Sequence, residues 1–210
     1  MITNFLMFLP PPQLLSISPW INYLGVYILF GYAADMAPSL KAVDTTLPLL
    51  DAILRSGSVC GAVNLAYTHP NPAIASSLFF QLLVGALASG GAGITTSTLS
   101  VWNSEWSFRT PPFLYGGMVD TLDIWGGSLT AAVYGCLMGY HPAYEPYTRW
   151  LSGVGVKYVP GTPLVSPLEA RSVVVLVLAV LFSFRAYKVH YTAFGVTKIP
   201  SPQPTKEKSE

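Results

Sequence analysis

The chain has 210 residues, of which 51% are hydrophobic and only 10% are charged, and its formal net charge is +1. Soluble domains carry about 25% charged residues, so most of this surface must face something other than water. A net charge this close to zero, with no basic stripe among the aromatic residues, gives no attraction to nucleic acid. We therefore interpret the chain as an integral membrane protein of one domain.

Five segments have the apolar character of a membrane-spanning helix, which needs about 20 mostly apolar residues. They predict an all-α fold, a polytopic transmembrane helical bundle of about five spans. The bundle is expected to be a single domain over residues 1–190, followed by a disordered cytosolic basic tail at 191–210. In chain order, the predicted spans are residues 20–34, 47–67, 73–102, 122–140 and 170–187.

The first span follows an apolar segment, residues 1–12, with no Lys or Arg before it and no small-residue cleavage site. That segment does not fit a cleaved signal peptide, so we expect the first span to act as an uncleaved signal. Trp20 stands at the start of this span, where an aromatic belt at the membrane interface is expected.

The second span carries two ionisable residues. Asp51 and Arg55 are four residues apart, which predicts an ion pair on one helix face. An ionisable residue inside a span is a functional candidate, and we expect Arg55 near the cytosolic face, binding an anionic lipid head group or gating a pore. The alternative is an Arg that extends to the interface. Gly57 and Gly61, also four apart, predict close helix packing.

The third span combines small residues with hydroxyl groups. Small residues recur every four positions, which puts them on one helix face where another backbone can approach: Gly85, Ser89, Gly93 and Ser97. Clustered glycines predict a bend, because each one costs about 1 kcal/mol relative to alanine in a helix interior. The hydroxyls beyond them satisfy freed carbonyls or line a wet path, and a bend that serves packing alone is the alternative. The residues predicted to form the pore or the bend are Ser89, Gly90, Gly91, Gly93, Thr96, Ser97 and Ser100.

The fourth span repeats the small-residue spacing and begins near two acids. Its packing residues are predicted to be Gly127, Ala131, Gly135 and Gly139. Asp120 and Asp123 are three apart, so a helix would bring them onto one face. Two such acids either bind a cation or favour the positive end of the helix dipole.

The fifth span is the most apolar segment of the chain. Its start has the pattern of a capping box, with Ser166 as the cap, Pro167 at the first position and Glu169 closing the box. The basic residues after it favour a cytosolic C-terminus by the positive-inside rule. Five spans then place the N-terminus in the lumen.

The end of the tail predicts the compartment. Lys206 and Lys208 form a Lys-x-Lys-x-x terminus, which is similar to the dilysine address that returns membrane proteins to the endoplasmic reticulum and is read by a receptor. The predicted location is therefore the endoplasmic reticulum membrane. A frayed, solvated tail is the alternative interpretation.

The sequence contains no motif of a catalytic or phosphate-binding site. The three histidines fall in different loops, and Cys60 and Cys136 lie in apolar segments, where they are expected to act as small hydrophobic residues. We therefore expect no catalysis, no metal and no cofactor.

The order of these features resembles the trimeric intracellular cation channels of the endoplasmic reticulum, over about residues 20–188. In that family a helix with basic residues precedes a long glycine-kinked helix, a loop with Trp, two further spans and a basic cytosolic tail. Here Arg55 takes the place of the basic residues, Gly90-Gly91-Ala92-Gly93 that of the kink, and Val101-Trp102 follows. The family's first two helices and its Lys-Glu-Val signature have no counterpart.

This resemblance implies a monovalent cation channel, membrane lipids including anionic ones as partners, and a homo-oligomer, specifically a trimer. Two other classes of function stay open. One is a non-catalytic membrane scaffold or accessory subunit. The other is a small membrane enzyme acting on lipophilic substrates, for which Asp120, Asp123 and Glu145 are the candidate acids.

Overall fold

The computed structural model describes residues 2–33, 39–101, 105–152 and 162–191, and these form α-helices and two short 3₁₀ turns, with no strand among them. The all-α prediction is therefore confirmed for this part of the chain. The helices are α1 (Ile2–Leu6), α2 (Pro12–Leu15), α3 (Ser18–Tyr32), α4 (Leu40–Thr46), α5 (Pro48–Tyr67), α6 (Pro72–Ala75), α7 (Leu78–Thr98), α8 (Leu122–Met138), α9 (Glu145–Ser152) and α10 (Pro167–Tyr191). The 3₁₀ turns are Pro112–Leu114 and Pro142–Tyr144.

Within the described ranges, three helices are long and apolar enough to cross a membrane, namely α5, α7 and α10 with 20, 21 and 25 residues. The other two predicted spans form α3 and α8, with 15 and 17 residues. At 1.5 Å per residue these two are about 22 and 25 Å long, whereas the hydrocarbon core of a bilayer is about 30 Å thick. The structure thus has three candidate spans where the sequence predicts five.

The helix boundaries agree with the prediction at some ends and differ at others. The predicted third span, 73–102, starts too early, because the separate helix α6 precedes α7. The hydroxyl of Ser77 accepts a hydrogen bond from the Phe80 N–H at 3.2 Å and caps α7. The capping box at the start of α10 is confirmed: Ser166 N–H donates to Glu169 at 2.7 Å, and Glu169 N–H donates to the Ser166 hydroxyl at 3.3 Å. Trp102, Lys206 and Lys208 lie outside the described residues.

Among the described residues, four helices form the bundle, namely α5, α7, α8 and α10. Helices α5 and α8 run in one direction and α7 and α10 run in the other, with a shared apolar core. We call the end where α5 and α8 begin and α10 ends the charged end, and the opposite end the aromatic end. The fully buried core side chains include Ala52, Val59, Val63, Leu122, Ala131, Val174 and Leu178.

Small residues form the contact between α7 and α8. A Cβ added to Gly85 would overlap the Cβ of Ala131, and one added to Gly127 would lie 2.6 Å from the Gly85 carbonyl oxygen. The two backbones therefore approach more closely than any larger residue at these positions allows. The hydroxyl of Ser128 adds a hydrogen bond across this contact, to the carbonyl of Leu82 at 3.2 Å.

Two residues in the left-handed backbone region end the helices of this pair. Gly139, with φ +67°, ends α8, and its N–H and that of Tyr140 donate back to Cys136 and Gly135. Ser100, with φ +51°, follows α7. Glycine takes this conformation without strain, whereas a serine takes it at a cost.

The N-terminal residues divide into a packed part and an exposed part. Met7 is 1% exposed and lies with Ala62, Ala66 and Val84 in a small apolar cluster between α5 and α7. Its carbonyl oxygen is 3.1 Å from Nε2 of His69, which ties this segment to the aromatic end. By contrast, no residue of α3 is buried.

Candidate functional site

A cluster of ion pairs lies inside the bundle at the charged end, with Asp123 at its centre. Nη1 of Arg55 donates to Oδ1 of Asp123 at 2.8 Å, and Nη1 of Arg185 donates to the same carboxylate at 3.0 and 3.1 Å. The three side chains come from α5, α8 and α10 and are only 25–29% exposed. A single carboxylate therefore joins three helices.

Arg55 makes two further hydrogen bonds. Its Nε donates to Asp51 at 2.9 Å, which confirms the predicted i,i+4 pair, and its Nη1 donates to the carbonyl oxygen of Ser89 on α7 at 2.8 Å. The cluster thus contacts all four helices of the bundle. Arg55 and Arg185 balance Asp51 and Asp123, so the cluster carries no formal net charge.

Glycine at position 90 is what lets Asp123 reach the cluster. A Cβ added to Gly90 would lie 3.3 Å from the carbonyl carbon and oxygen of Asp123 and from the Ile124 side chain. The first turn of α8 therefore rests on the middle of α7, where the backbone has no side chain. The aromatic ring of Phe182 lies against both guanidinium groups, with its centroid 5.0 Å from that of Arg55 and 5.5 Å from that of Arg185.

A cavity of about 690 Å³ lies between α5 and α7 on the side of the N-terminal segment. Its wall on α7 includes Gly91, Thr95 and Thr96, and its wall on α5 includes Gly57 and Gly61. Residues of α1, with Gln13 and Tyr23, line its remaining side. No charged side chain is among the described residues that line it.

Three consecutive hydroxyls near the end of α7 donate to carbonyls of their own helix. Thr95 donates to the carbonyl of Gly91 at 2.8 Å, Thr96 to that of Ala92 at 3.0 Å, and Ser97 to that of Gly93 at 2.6 Å. Each hydroxyl has one hydrogen to donate, so the oxygen atoms keep only acceptor capacity toward anything else.

The residues predicted to form the pore or bend do not all share one place. Helix α7 is continuous from Leu78 to Thr98, through its glycines. Gly91 and Thr96 line the cavity, whereas Ser89 and Gly90 face the charged cluster and α8. Gly93 has no atom of another residue within 4 Å of an added Cβ.

The predicted packing glycines likewise separate into two groups. Gly85, Gly127 and Ala131 lie in the contact between α7 and α8. A Cβ on Gly135 would be 3.0 Å from the ring of Tyr144, so a 3₁₀ turn rather than a helix packs there. Gly61 has no neighbour within 4 Å of an added Cβ.

Gly57 contacts only a side chain. A Cβ added there would be 2.8 Å from Nη2 of Arg171 on α10. Neither Gly57 nor Gly61 is therefore held against another backbone by the described residues. Both instead leave room at the cavity between α5 and α7.

The three acids considered for catalysis each have a different partner and do not form one site. Asp120 accepts a hydrogen bond from the Gly117 N–H at 3.0 Å, and Glu145 pairs with Arg149 at 2.5 Å. Asp123 belongs to the charged cluster. Among the described residues, no group of three or more His, Cys, Asp or Glu side chains is placed to hold a metal ion, and Cys60 and Cys136 are free thiols.

The aromatic end is held by neutral groups. Tyr67 and Tyr140 stack with ring centroids 3.9 Å apart, and Tyr140 donates to the amide oxygen of Asn64 at 2.8 Å. Burial raises the pKa of the Tyr144 hydroxyl to about 12, so this group stays protonated at neutral pH. These contacts join α5 to the end of α8.

Comparison with protein-family models, with curated proteins and with solved structures finds no match to this chain. The resemblance to the intracellular cation channels therefore rests on the motifs and their spacing, and the geometry described above carries the functional argument.

The sequence did not single out the partnership of Asp123 with Arg185. From the sequence, Arg185 is one of the basic residues that follow the most apolar run and favour a cytosolic C-terminus. Asp123 is paired with Asp120, either to bind a cation or to favour the positive end of a helix dipole. The signal was present in the charges of the predicted spans, where Asp51 and Asp123 occur with Arg55, Arg171 and Arg185. Charges in apolar segments are stable when paired, so acids and bases in different spans predict pairing, although not which residues pair.

Proposed function

We propose that this chain is a multi-pass membrane protein of the endoplasmic reticulum that conducts monovalent cations along the cavity between α5 and α7. The observation that carries the proposal is the chemistry of the cavity wall on α7. Thr95 and Thr96 have their hydroxyl hydrogens committed to their own helix and present oxygen acceptors. These two hydroxyl oxygens can coordinate a cation, whereas they have no hydrogen left to donate to an anion.

The proposal also covers the orientation of the chain in the membrane, its oligomeric state and its lipid contact. The N-terminus is lumenal and the C-terminus cytosolic, and α3 and α8 complete five membrane segments by local thinning of the bilayer. A homo-oligomer, a trimer by resemblance, encloses the cavity. An anionic lipid contacts Nη2 of Arg55, since Nε and Nη1 are hydrogen-bonded within the bundle.

Recording in planar bilayers tests conduction. Purified full-length protein under a potassium chloride gradient is expected to give a current that reverses near the potassium equilibrium potential. The double variant Thr95→Val with Thr96→Val removes the oxygen acceptors from the cavity and should lose most of that current. Ser97→Ala is the matched control, because Ser97 is not among the cavity-lining residues. Absence of any selective current, or equal currents from all three proteins, would refute the proposal.

A scaffold is the second candidate, and α3 is the observation that favours it. Helix α3 has no buried residue and exposes apolar side chains on every side. A helix of that kind is suited to pack against another membrane protein. A photoreactive residue introduced at Leu24 should then cross-link to a second chain in native membranes. If the residue at position 24 cross-links only to lipid, the exposed surface of α3 no longer supports a scaffold function.

A further inference from the structure

A second cavity, of about 270 Å³, lies at the charged end between α4, the start of α5 and the end of α10. It shares no lining residue with the cavity between α5 and α7. Its polar wall consists of two acids, Asp44 and Asp51, and one base, Arg185. The rest of its wall is apolar and includes Leu47, Leu50, Leu54, Phe182 and Val189.

The three charged side chains are only partly used by the protein. Asp51 accepts from Arg55 through Oδ1, and Asp44 faces Nε2 of His190 through Oδ2 at 3.0 Å. Arg185 binds Asp123 through Nη1 alone. Within the described ranges, the second oxygen of each acid and the Nε and Nη2 atoms of Arg185 form no hydrogen bond. The cavity therefore offers acceptors and donors side by side.

We propose that this cavity binds the head group of a zwitterionic phospholipid of the ethanolamine type. The primary ammonium of such a lipid donates to Asp44 and Asp51, and its phosphate accepts from Arg185. The cavity is smaller than the roughly 300–1,000 Å³ of pockets for drug-sized ligands, which suits a head group alone. The acyl chains then lie along Leu50 and Leu54, which are 49% and 65% exposed on the outer face of α5.

Other lipid classes fit this wall less well. An anionic head group without an ammonium would place its charge beside two carboxylates and leave both of them without a donor. A choline head group has no N–H to donate and is bound in proteins through aromatic faces. Phe182 is the aromatic ring among the described lining residues, and it lies against the guanidinium groups of Arg55 and Arg185.

Native mass spectrometry of the full-length protein in detergent tests the site. The probes are phosphatidylethanolamine, phosphatidylcholine and phosphatidylglycerol with identical acyl chains, together with soluble phosphoethanolamine. The proposed contact of an anionic lipid with Arg55 is a separate site, so binding at this cavity is the part that Asp44→Asn removes. We expect that part to be about tenfold tighter for phosphatidylethanolamine than for either other lipid, which is the difference expected from one charge-assisted hydrogen bond. Soluble phosphoethanolamine at the same concentration should not displace it, since it lacks the apolar contacts.

The variants Asp44→Asn and Asp51→Asn are expected to reduce phosphatidylethanolamine binding to the level of phosphatidylcholine. Asp120→Asn is the matched control, because Asp120 is an exposed acid outside the cavity. The unfolding temperature of each variant shows whether its fold is intact. If Asp51→Asn lowers that temperature, the binding result for Asp44→Asn alone decides the question, because Asn keeps the shape of the Asp side chain. Four results would each overturn the proposal: equal binding of the three lipids at this cavity, tighter binding of phosphatidylglycerol at this cavity, displacement by phosphoethanolamine, or wild-type binding of phosphatidylethanolamine by Asp44→Asn. None of these results depends on whether the protein conducts ions.

Discussion

The two ends of the bundle hold the same helices together with opposite chemistry. At the charged end, Asp123 joins Arg55 and Arg185 through charge-assisted hydrogen bonds. At the aromatic end, Tyr67 and Tyr140 join the same pair of helices, α5 and α8, by stacking and by one neutral hydrogen bond. Removing one charged partner leaves the others unpaired in an apolar setting, whereas removing a neutral partner loses only its own contact. The charged end should therefore be far more sensitive to single substitutions.

The largest expected effect of a single substitution belongs to Asp123. Asp123→Ala leaves Arg55 and Arg185 without their shared acceptor, and breaking a buried pair in this way costs about 3–5 kcal/mol. The side chains are partly exposed, so solvent screening should lower the cost below that range, to about 2–3 kcal/mol. Thermal unfolding in detergent measures it, with Asp120→Ala as the control. A midpoint equal to that of the control would show that the cluster contributes no stability.

An intermediate effect is expected where α7 meets α8 between the two ends. Gly127→Ala puts a methyl group 2.6 Å from the Gly85 carbonyl oxygen and from the Ser89 Cβ, which forces the helices apart at a cost of about 1–3 kcal/mol. Gly93→Ala is the matched substitution, since nothing lies within 4 Å of the added Cβ. It should be neutral or stabilise α7 by up to about 1 kcal/mol. Similar unfolding temperatures for both variants would contradict the close helix contact.

The smallest effect is expected at the aromatic end. Tyr140→Phe removes the hydrogen bond to Asn64 and keeps the stacked ring, so the loss should be about 0.5–1.5 kcal/mol. Because the tyrosine pair is neutral, this loss should not depend on salt concentration, unlike the loss at Asp123. Unfolding temperatures measured at low and high salt check both statements. If Tyr140→Phe lowers the free energy of unfolding by as much as Asp123→Ala does, the two ends of the bundle do not differ in sensitivity.

Local rules predicted the elements of this fold well. The capping box of Ser166 and Glu169, the pair of Asp51 and Arg55, and the helical class all follow from residues close in sequence. Helix lengths were harder, because hydropathy extends through the loop residues next to α7 without marking Ser77 as a cap. Hydropathy also cannot distinguish the 15 residues of α3 from a full span.

The candidate site depends on contacts between residues that are distant in the chain, and only some of these contacts could be predicted from residue spacing. Small-residue spacing indicated that α7 and α8 could approach, but the same spacing in α5 brings no second helix backbone close: Gly57 meets the side chain of Arg171, and Gly61 faces open space. Gly90 was assigned to a bend, whereas its described environment is the backbone of Asp123. The spacing of small residues along one helix shows which of them share a face. It does not show whether that face meets another helix, a charged side chain or a cavity, because this depends on the tertiary fold.

The central claim, that the cavity between α5 and α7 is a wet cation path, is tested most directly by cysteine accessibility in the membrane. In a background with Cys60→Ala and Cys136→Ala, a cationic, membrane-impermeant thiol reagent is applied to Thr95→Cys and to Leu176→Cys. Leu176 is an apolar residue of α10 that is 64% exposed on the outside of the bundle. The account predicts rapid modification of Thr95→Cys, with block of the cation current, and none of Leu176→Cys. Equally slow modification of both variants, with the current unchanged, would contradict it.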